Sequence, residues 1–177
     1  MDSIWLPIYL TFFVAAVVQT VVMTLQAYEN RRFARSRLRK PAVPSVEFPR
    51  VALFVPCKGV DLGLEANLRP LLEQDYADYE VIFIIESADD PACAVIERLI
   101  DEYTRSARSV AAKIVIAGLA ENCGQKVHNL QVATRGVSED VDVFAFVDSD
   151  ARPGRRWLAT LVARLDGEVS AATTGYR

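Results

Sequence analysis

The sequence predicts an α/β protein with a mainly parallel sheet and helices on both faces, preceded by one transmembrane helix. Short apolar runs alternate with helical repeats through residues 50–177, and an uncharged stretch of 24 residues lies near the amino terminus. The chain has 177 residues, of which 51% are hydrophobic. This length can bury one sizeable core, so we expect one folded domain with an appendage.

The appendage, residues 1–30, is predicted to be a membrane anchor. Residues 4–27 carry no formal charge and are long enough to cross a bilayer with some tilt. A cleaved signal peptide would begin with basic residues and have a shorter apolar region. Six cations within residues 31–40 place that side of the span in the cytoplasm. We expect a single span near the amino terminus and a soluble domain in the cytoplasm.

Residues 31–49 are predicted to be a basic, proline-containing linker between membrane and domain. Six of the 20 basic residues and two of the 23 acidic residues lie within residues 1–40, so the rest of the chain has a net charge of −7. Such a domain repels nucleic acid, and anionic lipid headgroups are the better partner for the basic run. The three cysteines show no CxxC spacing, which indicates neither a disulfide framework nor a zinc site.

The elements of the domain, residues 50–177, follow from hydrophobic periodicity. Five apolar runs are predicted strands: residues 51–55, 80–85, 113–117, 141–147 and 169–174. Four stretches are predicted helices: residues 64–72, interrupted at Pro70; residues 92–103, entered through Asp89, Asp90 and Pro91; residues 125–135; and a helix that starts at Pro153. Strands alternating with helices predict βαβ units and a parallel sheet.

The fourth predicted strand runs directly into Asp148 and Asp150. Its composition predicts a strand buried on both faces that surfaces at its carboxyl end, where open α/β sheets bind ligands. Two closely spaced carboxylates suit a divalent cation, although such a pair also occurs in solvated turns and helix caps. The loops after the first, second and fourth strands should gather Lys58, the acids of residues 86–90 and both aspartates around one crevice.

Two familiar phosphate-binding motifs are missing from the sequence. Neither the Walker-type phosphate loop nor the GxGxxG dinucleotide motif occurs. A nucleotide would therefore have to be bound in another way. A cation could bind the diphosphate and neutralise its negative charge, which the acidic crevice itself does not neutralise.

Residues 50–177 resemble the nucleotide-sugar-binding half of a family 2 type glycosyltransferase with the Rossmann-like GT-A fold, closest to the ceramide glucosyltransferase-like branch. The resemblance rests on segments in the expected order: Lys58-Gly59-Val60-Asp61, Gln74-Asp75-Tyr76, Tyr79-Glu80-Val81, Asp89-Asp90-Pro91-Ala92, Gly124-Gln125-Lys126-Val127-His128-Asn129-Leu130 and Asp148-Ser149-Asp150. It implies a membrane enzyme that moves a sugar from a nucleotide-sugar, expected to be a UDP-sugar, to a lipid acceptor with Mg²⁺ or Mn²⁺.

The resemblance also assigns roles to single residues. Asp148-Ser149-Asp150 becomes the DxD motif, with Asp148 and Asp150 at the metal and Asp148 also contacting the sugar or ribose. Lys126 is expected near the diphosphate.

Two further roles stay open at the nucleoside and the phosphate. Glu86 or Asp89 is expected to contact the nucleoside, because Glu86 stands where the ceramide branch tends to have glutamine. Lys58 is expected either to touch phosphate or to pair with Asp61.

Family members place a catalytic aspartate and a (Q/R)xxRW motif well beyond the DxD motif, and neither occurs before Arg177. We therefore expect a truncated chain that binds donor without transferring sugar, and the catalytic base is unassigned. His128 is interpreted as a half-buried polar residue. Two alternatives are a sugar nucleotidyltransferase, which would normally show a Gly-rich basic loop after the first strand, and a non-catalytic nucleotide-sugar-binding module.

Overall fold

The structure is a computed structural model that describes residues 5–38, 49–105, 110–165 and 171–172. The chain divides into two compact units. One contains the helix α1 (Trp5–Leu38), and the other is an α/β domain.

Helix α1 is apolar on all sides before its basic end. Residues Trp5–Phe33 form a stretch of 29 residues that is long and apolar enough to cross a membrane, and no residue of its apolar window is buried. The hydroxyls of Thr11, Thr20 and Thr24 each donate to the carbonyl four residues earlier at 2.8 Å. These bonds satisfy the hydroxyl donors within the helix itself, as an apolar surrounding requires.

The helix continues beyond the predicted anchor. Residues 31–38, assigned above to the linker, are helical, because no proline or glycine interrupts the chain between the span and Leu38. Residues 39–48, which hold the other part of the predicted linker, lie outside the described residues.

The domain is built on a four-stranded sheet in the order β3-β2-β1-β4. Its strands are β1 (Val51–Pro56), β2 (Tyr79–Ile85), β3 (Ala111–Ile116) and β4 (Val143–Phe146). Every pairing is parallel, with Val51 opposite both Tyr79 and Val143. Because the strands are parallel, their carboxyl ends all lie at the same end of the sheet.

The helices of the domain are α2 (Leu64–Leu68), α3 (Ala92–Thr104), α4 (Gln125–Arg135) and α5 (Trp157–Val162). The predicted interruption at Pro70 is confirmed, because α2 ends at Leu68 and the chain continues as a 3₁₀ helix, Arg69–Glu73. Pro70 lies in the first turn of that helix, where its missing N–H would have had no intrahelical partner.

The core has one part on each face of the sheet. On one face, alternate residues of β1 and β2 pack with α2, α3 and α5, and Leu68, Leu99 and Leu158 are fully buried there. On the other face, Ala52 and Phe54 of β1 pack against α4. The predicted α/β class with helices on both faces is therefore confirmed.

Strand β4 corrects one prediction. The sequence predicts residues 141–147 as a strand buried on both faces, but β4 is shorter, and Phe144 and Phe146 are 45% and 50% exposed. In the described part of the sheet β4 is an edge strand, and α4 packs over β1 and β2. The two rings contact Phe54, each at 5.2 Å between centroids, and their outer sides face solvent.

The last helix begins later than predicted, at Trp157 instead of Pro153. The carbonyls of Gly154 and Arg155 accept hydrogen bonds from residues 74 and 75, which hold this segment in a non-helical path. The strand predicted at residues 169–174 lies largely outside the described residues, and residues 171–172 have no regular structure.

Candidate functional site

An open cleft of about 320 Å³ lies at the carboxyl ends of the strands. Its walls are the loop after β1, the beginning of α4 and the loop after β4. The lining residues are Pro56, Cys57, Lys58, Asp61, Gln125, Lys126, Asn129, Asp148, Ser149 and Asp150. The loops meet because β1 and β4 are neighbours, and this end of the sheet is where parallel α/β sheets bind ligands.

Asp148 and Lys126 form an ion pair across the cleft. The Lys126 ammonium donates to Asp148 Oδ1 at 2.5 Å, and the two side chains are 61% and 50% exposed. The pair joins the loop after β4 to the first turn of α4. The structure therefore brings together two residues predicted to bind donor, 22 positions apart in the sequence.

Asp150 also lines the cleft and is exposed. Within the described residues its carboxylate has no hydrogen bond or ion pair, so both oxygens are open to a ligand. The described residues contain no group of three or more His, Cys, Asp or Glu side chains that could hold a metal by themselves. A cation here would need ligands from a bound molecule or water in addition to Asp148 and Asp150.

Lys58 forms an ion pair with Glu86 and not with Asp61. Its ammonium donates to Glu86 Oε2 at 3.3 Å, and Glu86 is 22% exposed while Lys58 is 75% exposed. Glu86 directly follows β2 and does not line the cleft itself. The pair nevertheless links a predicted nucleoside contact to a cation on the cleft wall.

Asp89 lies away from the cleft lining, in the exposed turn before α3, where its N–H donates to Ser87 Oγ at 3.2 Å. Its neighbour Asp90 is the residue that contacts the loop after β1. The Asp90 carboxylate accepts from Gly59 N at 2.9 and 3.1 Å and from Ala92 N at 2.8 Å. It caps α3 and fixes the loop that carries Lys58.

Gln125 and Asn129 are cleft residues without an assigned role in the sequence analysis. Gln125 donates to Gly118 O and to Asn129 Oδ1, each at 2.7 Å, and accepts from Ala120 N at 2.9 Å. These bonds fasten α4 to the loop after β3. Gln125 and Asn129 are four positions apart on α4, the helix that carries Lys126, and this i, i+4 spacing could have indicated that both lie on the same face of the helix.

Cys57 lies in the cleft wall with 3% of its surface exposed. Burial, with a smaller contribution from the Asp90 carboxylate, raises the pKa of its thiol to about 12. The thiol is therefore neutral at physiological pH and poorly suited to act as a nucleophile or a metal ligand.

His128 faces away from this chemistry. Its Nε2–H donates to Ala117 O at 3.0 Å, since a carbonyl oxygen can only accept. The interpretation of His128 as a half-buried polar residue is confirmed.

Comparison with protein families matches residues 11–177 to the model described as Glycosyl transferase family 21. Ceramide glucosyltransferase of Komagataella phaffii is 35% identical over 95 residues, which cover 51% of this chain and 18% of that protein. Ceramide glucosyltransferase 1 of Caenorhabditis elegans is 29% identical over 99 residues, which cover 56% of this chain and 20% of that protein. The chain spans about a fifth of the length of these relatives. The predicted resemblance to the ceramide glucosyltransferase-like branch is confirmed.

Among solved structures, the chain resembles a mannosyltransferase from Pyrobaculum calidifontis in complex with GDP-Man and Mn²⁺. The TM-score is 0.61, with 23% identity over 84% of this chain and 42% of the other. At this identity the likeness establishes a shared fold, which agrees with the predicted glycosyltransferase fold.

Proposed function

The chain belongs to glycosyl transferase family 21, and we propose that it forms the donor-binding part of a membrane-anchored glycosyltransferase. The enzyme would move a sugar from a nucleotide-sugar, specifically a UDP-sugar, to a lipid acceptor. The observation that carries this proposal is the cleft at the carboxyl ends of β1 and β4, which two lysines and three aspartates line. The family match favours this function over the sugar nucleotidyltransferase alternative.

We propose that Asp148 and Asp150 hold Mg²⁺ or Mn²⁺ together with the diphosphate of the donor. Enzymes commonly bind Mg²⁺ through one or two carboxylates plus substrate phosphates, and two exposed carboxylates in an open cleft fit that donor set. The mannosyltransferase that shares this fold is in complex with GDP-Man and Mn²⁺, which supports a divalent cation and a nucleotide-sugar as ligands here. When bound, the cation supplies neutralisation of the charge on the departing diphosphate.

The residues around the cation would bind the other parts of the donor. Lys126 and Lys58 are proposed to bind diphosphate oxygens, and Asp148 to contact the sugar or ribose as well. Glu86 is the better candidate for the nucleoside, because it pairs with Lys58 on the cleft wall, whereas Asp89 lies in the exposed turn before α3.

The membrane part of the proposal rests on α1. The 29-residue stretch Trp5–Phe33 is long and apolar enough to cross a membrane, and the basic residues from Arg31 onward support a single span with the catalytic domain on the cytoplasmic side. The ceramide glucosyltransferase relatives support a lipid acceptor, which an anchored enzyme would meet at the membrane surface.

Calorimetry of the chain in detergent tests the donor site. We expect UDP to bind with Mn²⁺ or Mg²⁺ and to lose affinity at least 10-fold when a chelator removes the cation. Asp150→Asn should abolish this metal dependence and leave the unfolding temperature nearly unchanged, because the exposed Asp150 carboxylate has no hydrogen bond or ion pair with other described residues.

Asp101→Asn is the matched control, since Asp101 is an exposed aspartate on α3 that pairs with Arg105. It should bind UDP and metal as the unsubstituted chain does. Equal UDP affinity with and without chelator in the unsubstituted chain would rule out the proposed cation site.

A further inference from the structure

The side chain of Gln74 bridges two distant parts of the domain. It follows the 3₁₀ helix, and its Nε2 donates to Pro70 O at 2.9 Å and to Gly154 O at 3.1 Å. Its Oε1 accepts from Leu158 N at 2.9 Å. One amide thus joins the segment before β2 to the segment after Asp150, 80 and 84 positions later in the chain.

This amide is buried and fully used. Gln74 is 7% exposed, both N–H donors and the oxygen are bonded, and its backbone N–H donates to the Tyr79 hydroxyl at 3.1 Å. The next residue strengthens the bridge, because Asp75 N donates to Arg155 O at 2.7 Å. A buried network with every member satisfied holds one geometry, and a lost member leaves its partners unpaired.

Helix α5 depends on Gln74 for its start. Its N-cap residue, Arg156, makes no side-chain cap bond, and the first-turn N–H of Leu158 bonds to Gln74 instead. Gln74 therefore supplies the acceptor for a first-turn N–H of α5 and binds the Gly154 carbonyl that precedes the helix.

The bridged segment carries the cleft aspartates. On one side it is fixed to the sheet, where Val147 N donates to Phe54 O at 3.1 Å, and a turn follows in which Ala151 N donates to Asp148 O at 3.0 Å. On the other side it is fixed at Gly154 by Gln74. Asp150, whose carboxylate has no hydrogen bond or ion pair with the described residues, lies between these two anchors.

We propose that Gln74 is a positioning residue that holds Asp150 in place for the cation and the donor diphosphate. This inference rests on the proposed function. Gln74 touches neither the cleft nor its charges, and it acts through Gly154 and Leu158.

The test compares Gln74→Leu and Gln74→Asn with the unsubstituted 177-residue chain in detergent. Leucine fills the site without hydrogen bonds, and asparagine keeps the amide on a side chain one carbon shorter. We expect Gln74→Leu to raise the Kd for Mn²⁺, measured with UDP present, by about 10- to 100-fold, as loss of groups that orient metal ligands does. The affinity for UDP in the presence of chelator should stay unchanged. The Mn²⁺ Kd of Gln74→Asn should lie between those of the unsubstituted chain and Gln74→Leu.

Glu80→Gln is the control for a merely structural effect. Glu80 is 9% exposed and pairs with Lys113 at 3.0 Å, so its substitution also removes a buried polar contact, but it does not line the cleft. At a similar loss of unfolding temperature, Glu80→Gln should leave the Mn²⁺ Kd unchanged.

Hydrogen exchange gives a readout that needs no ligand. Backbone amides of residues 150–158 should exchange faster in both Gln74 variants than in Glu80→Gln. An unchanged exchange rate there, or an Mn²⁺ Kd equal to that of Glu80→Gln, would overturn the inference. Failure of the unsubstituted chain to bind UDP in a metal-dependent way would instead overturn the proposed function, and the exchange rates would still report on the bridge.

Discussion

At the scale of single residues, Lys126 and Asp148 illustrate how the cleft could accept a charged ligand. Both side chains are at least half exposed, and exposed ion pairs contribute only about 0–1 kcal/mol to stability. Within the proposed function, a cation can therefore replace Lys126 at Asp148 with little loss. The released ammonium, which lines the cleft, would then be free to bind a diphosphate oxygen.

Gly59 is needed for its backbone conformation. Its φ is +64°, and a Cβ placed there would meet nothing within 4 Å. Space does not exclude a side chain, but the left-handed conformation disfavours one. The Gly59 N–H points at the Asp90 carboxylate as a result, which sets the course of the loop carrying Lys58.

Cys57 gives a prediction at this scale. Burial raises the pKa of its thiol to about 12, and the thiolate is the form that reacts with alkylating agents. Mass spectrometry of the folded chain treated with iodoacetamide at about pH 8 should show Cys57 modified on the order of 100-fold more slowly than Cys123, whose side chain is exposed.

Denaturation provides the control, because all three cysteines should then react at similar rates. Rapid modification of Cys57 in the folded chain would contradict the burial of its side chain in the cleft wall.

At the scale of elements, a cluster of ion pairs holds the first two helical segments against α3. Arg69 donates to Glu102 at 2.6 Å and to Glu65 at 2.8 Å, and Arg98 donates to Glu65 at 2.5 Å. The Arg69 guanidinium also lies 5.9 Å from the centre of the Tyr103 ring. Leu68 and Leu99 of the same two helices, α2 and α3, are buried in the core.

The cluster predicts a pH dependence of stability. Hydrogen bonds from Arg69 hold the pKa of Glu65 and of Glu102 below the ordinary value. A carboxyl group whose pKa is lowered by folding stabilises the fold above its unfolded pKa of about 4.3, and this contribution is lost as the pH falls through the folded pKa. Arg69→Met should therefore lower the free energy of unfolding most at neutral pH.

Urea unfolding between about pH 7 and pH 3 measures the effect. The difference between Arg69→Met and the unsubstituted chain should shrink below about pH 4. Arg105→Met is a suitable control, because among the described residues Arg105 forms one ion pair, the largely exposed one with Asp101. A difference that stays constant over the whole range would show that packing of the Arg69 side chain, and not its charge, accounts for the loss.

At the scale of the whole molecule, the chain has a long helix that is apolar over most of its length, and an acidic domain. The Trp5–Phe33 stretch presents its hydrophobic side chains on every side, whereas a helix of a soluble core buries such side chains. Its exposed large side chains include Trp5, Leu6 and Phe12, at 71%, 69% and 73%. Such an apolar surface is unfavourable in water, and an apolar surrounding stabilises it.

The predicted anchor can be tested by fractionation. The chain should sediment with membranes and stay there after a high-salt wash, since salt screens electrostatic contacts but does not weaken a hydrophobic span. In sealed cells the domain should resist external protease and become sensitive once the cytoplasmic side is opened. Release by salt alone would show that the basic run, and not α1, holds the chain at the membrane.

Among the elements that the structure describes, the sequence by itself determined the type and order, and it also determined the position of the acidic pair. The periodicity of residues 92–103 lies within one helix, and the effect of Pro70 on its own segment is local. Asp148 and Asp150 follow an apolar run directly, so their position after a strand needs no knowledge of the sheet order. Backbone geometry and side-chain periodicity act over a few residues, and these features depend on little else.

Only the tertiary structure decided which distant residues meet. Lys58 could have paired with nearby Asp61, but the neighbouring positions of β1 and β2 bring Glu86 to it. The exposure of Phe144 depends on the edge position of β4, and the start of α5 depends on Gln74. These outcomes follow from the sheet order β3-β2-β1-β4, which sets contacts between residues far apart in the chain and leaves no periodic signal in the sequence.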